Sequence, residues 1–248
     1  MVALYLSELL HYNFINILFI FKGMHKFQST VTGVSYLTED VMLISLTAPQ
    51  EFSFEAGQFI ILMITNQGVT KPRSYSVLNP PSEKGKIDLC MKLVHPGFAS
   101  DIFAATKLND EFTVKGPFGN FVFFPEMEEH WFICTGTGVV PFYSMIKQHL
   151  LAYPDKQFRL VWGLRYKKDI FFKKELDLWK KNHPNFDYIL TLSRDDHEYT
   201  GRVQQHLPKD LSGKTFYICG LKELVLETRE LLEKKGVPKQ NIKFERYS

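Results

Sequence analysis

The rhythm of the chain changes near Pro125, and that change constrains the fold more than any other feature. Before it, short strand-like runs at 27–34, 41–47, 58–65, 73–78, 86–94 and 111–115 are divided by turn chemistry such as Ala48-Pro49, Asn66-Gln67-Gly68, Asn79-Pro80-Pro81 and Glu83-Lys84-Gly85. Short, closely spaced strands of this kind predict a small antiparallel β-barrel. One helix, over 98–106, interrupts them after the turn His95-Pro96-Gly97. Beyond Pro125, apolar strands at 131–135, 158–163, 186–192, 215–220 and 241–246 alternate with helical patterns at 141–152, 171–181, near Gln204 and at 222–235. This β-α-β order predicts a parallel sheet covered on both faces. The expected architecture is therefore two-domain, a β-barrel over 26–125 followed by an α/β parallel-sheet domain over 126–248, after an apolar extension at 1–25. A chain of 248 residues is long enough to bury two cores.

Composition narrows the function classes. A net charge of +3, without a basic stripe interleaved with aromatics, gives no footprint for nucleic acid. Cys90, Cys134 and Cys219 are odd in number and lack the short spacings of a zinc or iron–sulfur site, so no metal centre and no disulfide framework are expected. Reduced thiols in buried strands fit a cytoplasmic protein. Residues 1–22 are strongly apolar, but the uncharged run 9–21 falls short of the roughly 20 residues that span a bilayer. A peripheral membrane contact, a helix packed on the body, or an extension upstream of a start at Met24 all remain open.

Four places could carry chemistry. Arg73, Ser74, Tyr75 and Ser76 join a cation, an aromatic ring and two hydroxyls within one strand. Alternation sends Arg73 and Tyr75 to one face, so that Tyr75 could stack on a flat ligand and Arg73 pair with its phosphate. Taken alone, the run also fits an ordinary strand. Gly97, Phe98, Ala99 and Ser100 offer backbone amides and a hydroxyl at the start of the barrel's helix, or a simple cap. Thr135, Gly136, Thr137, Gly138 and Pro141 join the first strand of the second half to its first helix, where backbone amides could approach a pyrophosphate. Proline stands where a third glycine would complete the dinucleotide fingerprint, and it suits a first helical turn. The next strand ends in Arg165 rather than an acid, and Ser193, Arg194 and Arg202 follow at and beyond the end of the strand after it. This basic set leans towards NADP, with solvated surface arginines as the plain alternative. Gly116-Pro117-Phe118-Gly119 reads as a tight turn.

Taken together and in this order, the motifs resemble the ferredoxin-NADP reductase superfamily over residues 26–247. The resemblance implies an FAD site. Arg73 would meet the phosphates, Tyr75 the isoalloxazine and Ser76 the hydride-accepting nitrogen. Gly97 to Ser100 would form the pyrophosphate turn, and Gly116 would open the loop that closes the flavin domain. It further implies an NADP pyrophosphate loop at Thr135 to Pro141, and a cysteine beside the nicotinamide at Cys219. Glu245 and Tyr247 match the family's carboxylate and flavin-covering aromatic near the end of the chain, with Ser248 as a departure because it makes Tyr247 penultimate.

The function implied is electron transfer between NADPH and a separate one-electron carrier such as a ferredoxin or flavodoxin, with Ser76, Cys219, Glu245 and Tyr247 at the transfer site. Such carriers are acidic, and lysines around the flavin edge would steer them. The reductase component of an oxygenase is the alternative within this class. A non-catalytic NADP-binding sensor module is the alternative outside it.

Overall fold

The computed structural model describes residues 25–247, so the expectations for the extension at 1–25, apart from His25, for Met24 and for Ser248 lie outside the described residues. The first half forms a six-stranded antiparallel sheet, curled into a barrel, in the order β4-β3-β6-β1-β2-β5. Its strands are β1 (His25–Tyr36), β2 (Val41–Thr47), β3 (Phe59–Asn66), β4 (Val69–Ser76), β5 (Lys86–Lys92) and β6 (Glu111–Phe118). Strands β3 and β4 form a hairpin whose two turn residues, Gln67 and Gly68, both take positive φ (49° and 77°), the geometry that follows the right-handed twist of the paired strands. Alternating apolar residues, among them Val31, Ile44, Leu62, Ile87 and Val114, fill the interior. Helix α1 (Ser100–Ala105) lays the buried Phe103 against that core.

The second half is a six-stranded parallel sheet in the order β10-β9-β8-β7-β11-β12. It comprises β7 (Glu129–Thr135), β8 (Gln157–Leu164), β9 (Phe186–Leu192), β10 (Tyr199–Thr200), β11 (Lys214–Leu221) and β12 (Ile242–Tyr247). Helices α2 (Val139–His149), α3 (Lys173–Asn182) and α4 (Lys222–Lys234) connect them. Apolar residues on both faces of each central strand are buried, Phe132 and Tyr217 in one cluster and Ile133 and Ile218 in the other, as a doubly covered parallel sheet requires. The two-domain fold matches the sequence expectation.

Three local readings change. Gly116, Pro117 and Phe118 continue β6, where Gly116 pairs with His25, and are not a tight turn. The barrel helix begins at Ser100, two residues after the predicted start. The short strand β10 adds an edge to the parallel sheet that two residues are too few to announce in sequence.

His130 on β7 is fully buried among Phe123, Phe158 and Tyr217, and neither ring nitrogen has a hydrogen-bond partner among the described residues. Burial pushes its pKa down to about 4 from 6.5. The unfolded chain therefore binds a proton here that the native ring does not. The contribution of this ring to stability is expected to fall as pH drops from 6.5 and to level off near 4, by about 3 kcal/mol. Urea unfolding across that range, compared with His130→Leu, checks this. The difference in stability between variant and parent should grow by about 3 kcal/mol in favour of the variant as pH falls across that range.

Candidate active site

Strand alternation divides the work of β4 between two faces. Arg73 and Tyr75 look towards the segment around α1. The Arg73 guanidinium lies 5.5 Å from the Phe98 ring centroid, and Tyr75 meets Phe103 edge-on at 5.5 Å. Burial pushes the Tyr75 phenol up to about 12, so it stays neutral. Arg73 donates one N–H to the Pro72 carbonyl at 2.8 Å, which leaves most of its fork for an anion. Lys71, on the same face two residues earlier, sets a second cation 4.6 Å from the Phe98 ring. Sequence reasoning missed Lys71, although the spacing of alternate residues along β4 could have found it.

Ser76 turns the other way and is buried. Its Oγ donates to Glu245 Oε1 at 3.3 Å and shares a 3.0 Å hydrogen bond with the Tyr247 hydroxyl. Glu245 and Tyr247 alternate along β12, whose parallel register on β11 sets Cys219 opposite Glu245. The Tyr247 hydroxyl also meets the Cys219 thiol. Three distant segments thus converge on the seam between the domains. Burial, together with the neighbouring Glu245, holds the thiol of Cys219 well above its usual range, so it is protonated and no nucleophile. Burial raises Glu245 to about 7 against the lowering effect of the Ser76 hydrogen bond. Of the four, Glu245 is the group that changes charge near neutral pH. Beside it, an open cleft of about 340 Å³ is lined by Asn120, Phe121, Ile242, Lys243, Phe244 and Glu245.

Strand order explains why this seam adjoins a nucleotide-suited turn. The chain runs outward from β7 in both directions across the sheet, so the switch point lies between β7 and β11, where ligands bind at the carboxyl ends of such strands. Thr135 ends β7, Gly136 to Gly138 form a 3-10 turn, and α2 begins at Val139 with Pro141 buried in its first turn. A Cβ on Gly138 would lie 2.4 Å from the Cys219 carbonyl oxygen, so only glycine admits this approach of the two strand ends. The Trp162 indole donates to the Gly136 carbonyl at 2.9 Å and steadies the turn.

The outer basic residues separate. Arg194 and Arg165 come together, with the Arg194 amide donating to the Arg165 carbonyl at 3.0 Å, and Ser193 binding Leu164 beside them. Arg194 donates to the Tyr166 hydroxyl at 3.2 Å. Tyr166 is a residue that sequence reasoning passed over. Arg202 is instead paired with Glu227 of α4 at 2.6 Å, which turns its guanidinium to that helix. In the barrel turn, a Cβ on Gly97 would lie 2.2 Å from the Val94 carbonyl oxygen. Ser100 Oγ accepts from the Val94 amide at 2.9 Å, so it closes the turn that carries Phe98 and Ala99.

Residues 28–123 match the oxidoreductase FAD-binding domain model and residues 132–230 the oxidoreductase NAD-binding domain model. The chain is 31% identical over 210 residues to ferredoxin--NADP reductase B of Sorangium cellulosum (strain So ce56), covering 79% of this chain and 86% of that protein. The chain belongs to the ferredoxin-NADP reductase superfamily.

This reductase is also 30% identical over 207 residues to the CDP-6-deoxy-L-threo-D-glycero-4-hexulose-3-dehydrase reductase of Yersinia pestis, spanning 79% of this chain but only 61% of that protein. Its fold matches the ferredoxin NADP+ reductase of Neisseria gonorrhoeae with bound FAD and NADP at a TM-score of 0.82, 20% identity and coverage of 89% and 98% of the two chains. The reductase is an NAD(P)H-dependent flavoprotein that transfers electrons with FAD as cofactor. Its residues fit that cofactor. The paired cations beside Phe98 and the half-buried Tyr75 are groups chemically able to meet a phosphate and a flat ring.

Proposed function

We propose that this reductase oxidises NADPH and passes the electrons to a separate one-electron carrier of the ferredoxin or flavodoxin type. The observation that supports it best is the convergence of Ser76, Cys219, Glu245 and Tyr247 between a flavin-suited strand and a nucleotide-suited turn. Bound FAD would accept two electrons from NADPH and release them singly. The protein positions, shields and tunes. On this reading residues 26–125 hold FAD and residues 126–248 hold the nicotinamide nucleotide. Arg73 and Lys71 bind flavin phosphates, Tyr75 braces the ring, and the Gly97 to Ser100 turn admits the pyrophosphate. Gly116, within β6, packs on Ile60 and shapes the barrel wall at the flavin. Thr135 to Gly138, with Pro141 starting the helix, bind the second pyrophosphate. Arg194 and Arg165, with Tyr166 and Ser193, read the 2′-phosphate. Tyr247 covers the transfer site and excludes water until nicotinamide replaces it.

A second reading, the dedicated reductase of another enzyme system, draws support from the Yersinia relative, which is by name the reductase of a dehydrase. Steady-state NADPH oxidation with purified acidic carriers separates the two. Turnover with a ferredoxin or flavodoxin, salt-sensitive because steering is electrostatic, is the expected result. Failure with every such carrier leaves the second reading. Purified protein that releases no flavin on denaturation would defeat both in favour of a sensor. No helix among the described residues is long and apolar enough to cross a membrane. Fractionation of the full chain against a form starting at Met24 tests membrane contact through residues 1–22.

A further inference from the structure

Helix α2 carries the nucleotide-suited turn at its start, and four residues in its second half grip the barrel. Ser144 is fully buried and donates from Oγ to the Asn79 carbonyl at 2.9 Å. Lys147 pairs with Glu83 at 2.6 Å, and the Ser82 amide donates to Gln148 Oε1 at 3.3 Å. Between them Met145 packs over Gly57 so closely that a Cβ there would lie 2.2 Å from its methyl.

The Asn79 carbonyl is itself held rigidly. Asn79 is 2% exposed, and the two N–H groups of its side-chain amide are shared among the carbonyls of Pro80, Glu83 and Lys86 at 3.3–3.4 Å. Its Oδ1 accepts from the Asp88 amide at 2.7 Å. Val77 and Leu78, which link it to Ser76, donate to the Gln58 and Asp88 carbonyls at 3.0 and 2.8 Å. Residues 76–79 thus form a pinned segment with two ties to the second domain. Ser76 binds Glu245 and Tyr247 at one end, and Asn79 binds Ser144 at the other. The second tie, backed by the apolar packing of Leu78, Phe121 and Phe142 across the seam, sets how α2 seats on the barrel.

We propose that Ser144 is a positioning residue, which holds the Gly136–Gly138 turn at a fixed reach from Ser76 by clamping α2 to the Asn79 carbonyl. The proposal rests on the reading that flavin lies at Ser76 and NADPH at the turn. Ser144 itself touches neither, so its loss leaves every binding group in place and alters only their relative setting. A small misplacement of reacting atoms costs rate far more than affinity.

The test is single-turnover flavin reduction over a range of NADPH concentrations up to saturation, followed by flavin absorbance, in the full chain and in Ser144→Ala, Ser144→Cys and the doubly substituted Lys147→Ala, Gln148→Ala protein, with steady-state KM for NADPH measured alongside. Ser144→Ala is expected to slow the limiting rate about tenfold, with the KM for NADPH within about twofold of the parent and flavin content unchanged. Ser144→Cys, which keeps a weak donor of similar size, should recover part of the rate. The double variant alters exposed partners, keeps the fold and should lose about threefold. A flavin-replete Ser144→Ala with the parental limiting rate and a lowered Tm would overturn the proposal and leave a purely structural bond. So would a raised KM at unchanged limiting rate. If Ser144→Ala does not fold, the double variant decides, and a parental limiting rate there overturns the proposal. A parent protein devoid of flavin overturns the underlying reading and the proposal with it.

Discussion

Glu245→Gln is expected to lower kcat/KM for NADPH by about 100-fold at pH 8 and to abolish the pH dependence near 7. Hydride departure leaves positive charge on the nicotinamide. An ionised carboxylate held at Ser76 Oγ would stabilise that charge. Because burial has raised this carboxyl to about 7, kcat/KM of the parent should climb as pH rises through 7 and then level off. Glutamine keeps the shape and a hydrogen bond to Ser76 but cannot ionise, so its profile should be low and flat. Stability should move the opposite way. The native carboxyl holds its proton more tightly than the unfolded one, so stability is lost as pH rises from 4.5 through 7, and the variant should be more stable above 7, by up to about 3 kcal/mol. Activity lost with stability gained marks a group retained for chemistry. A pH step near 7 surviving in Glu245→Gln would assign it elsewhere.

Arg194→Ala should cost NADPH about 30- to 100-fold in kcat/KM and NADH less than about threefold. The guanidinium is exposed, lies with Arg165 at the ends of neighbouring strands and donates to Tyr166, so its remaining donors point to solvent where a 2′-phosphate can meet them. NADH lacks that phosphate and should not feel the loss. Arg202→Ala should discriminate much less, because Glu227 already engages that side chain. Equal losses with both nucleotides in Arg194→Ala would remove it from the recognition of the 2′-phosphate.

Much of the architecture could be read from local signals. Turn residues such as Gln67-Gly68 punctuated the barrel, and the β-α alternation after Pro125 announced the parallel sheet. The glycines at 136 and 138 marked the turn between β7 and α2, Gly136 because its φ of 55° favours a residue without a Cβ and Gly138 because it approaches Cys219 closely. Failures came where partners are remote or signals short. Gly116 to Phe118 carried every mark of a turn, yet pairing with β1 and β3 drew them into a strand. Arg202 and Arg194 look alike in sequence, and their partners, Glu227 for the first and Tyr166 for the second, are visible only in the fold. Lys71 shares the alternate spacing of Arg73 and Tyr75 along β4 and could have been found from it, whereas Tyr166 gave no local sign.

What the sequence determined by itself was the kind of each element and the residues able to bind phosphate and ring, since backbone preference, periodicity and side-chain chemistry are properties of a few adjacent residues. The resemblance grouped Ser76, Glu245 and Tyr247 at one site, but their direct contacts across 169 and 171 residues, and that of Asn79 with Ser144 across 65, came from the tertiary structure. Those contacts depend on strand order and register, which local chemistry leaves open. Burial at the seam then raised Glu245 to about 7, because desolvation comes from the groups packed around a carboxyl and not from its neighbours in the chain.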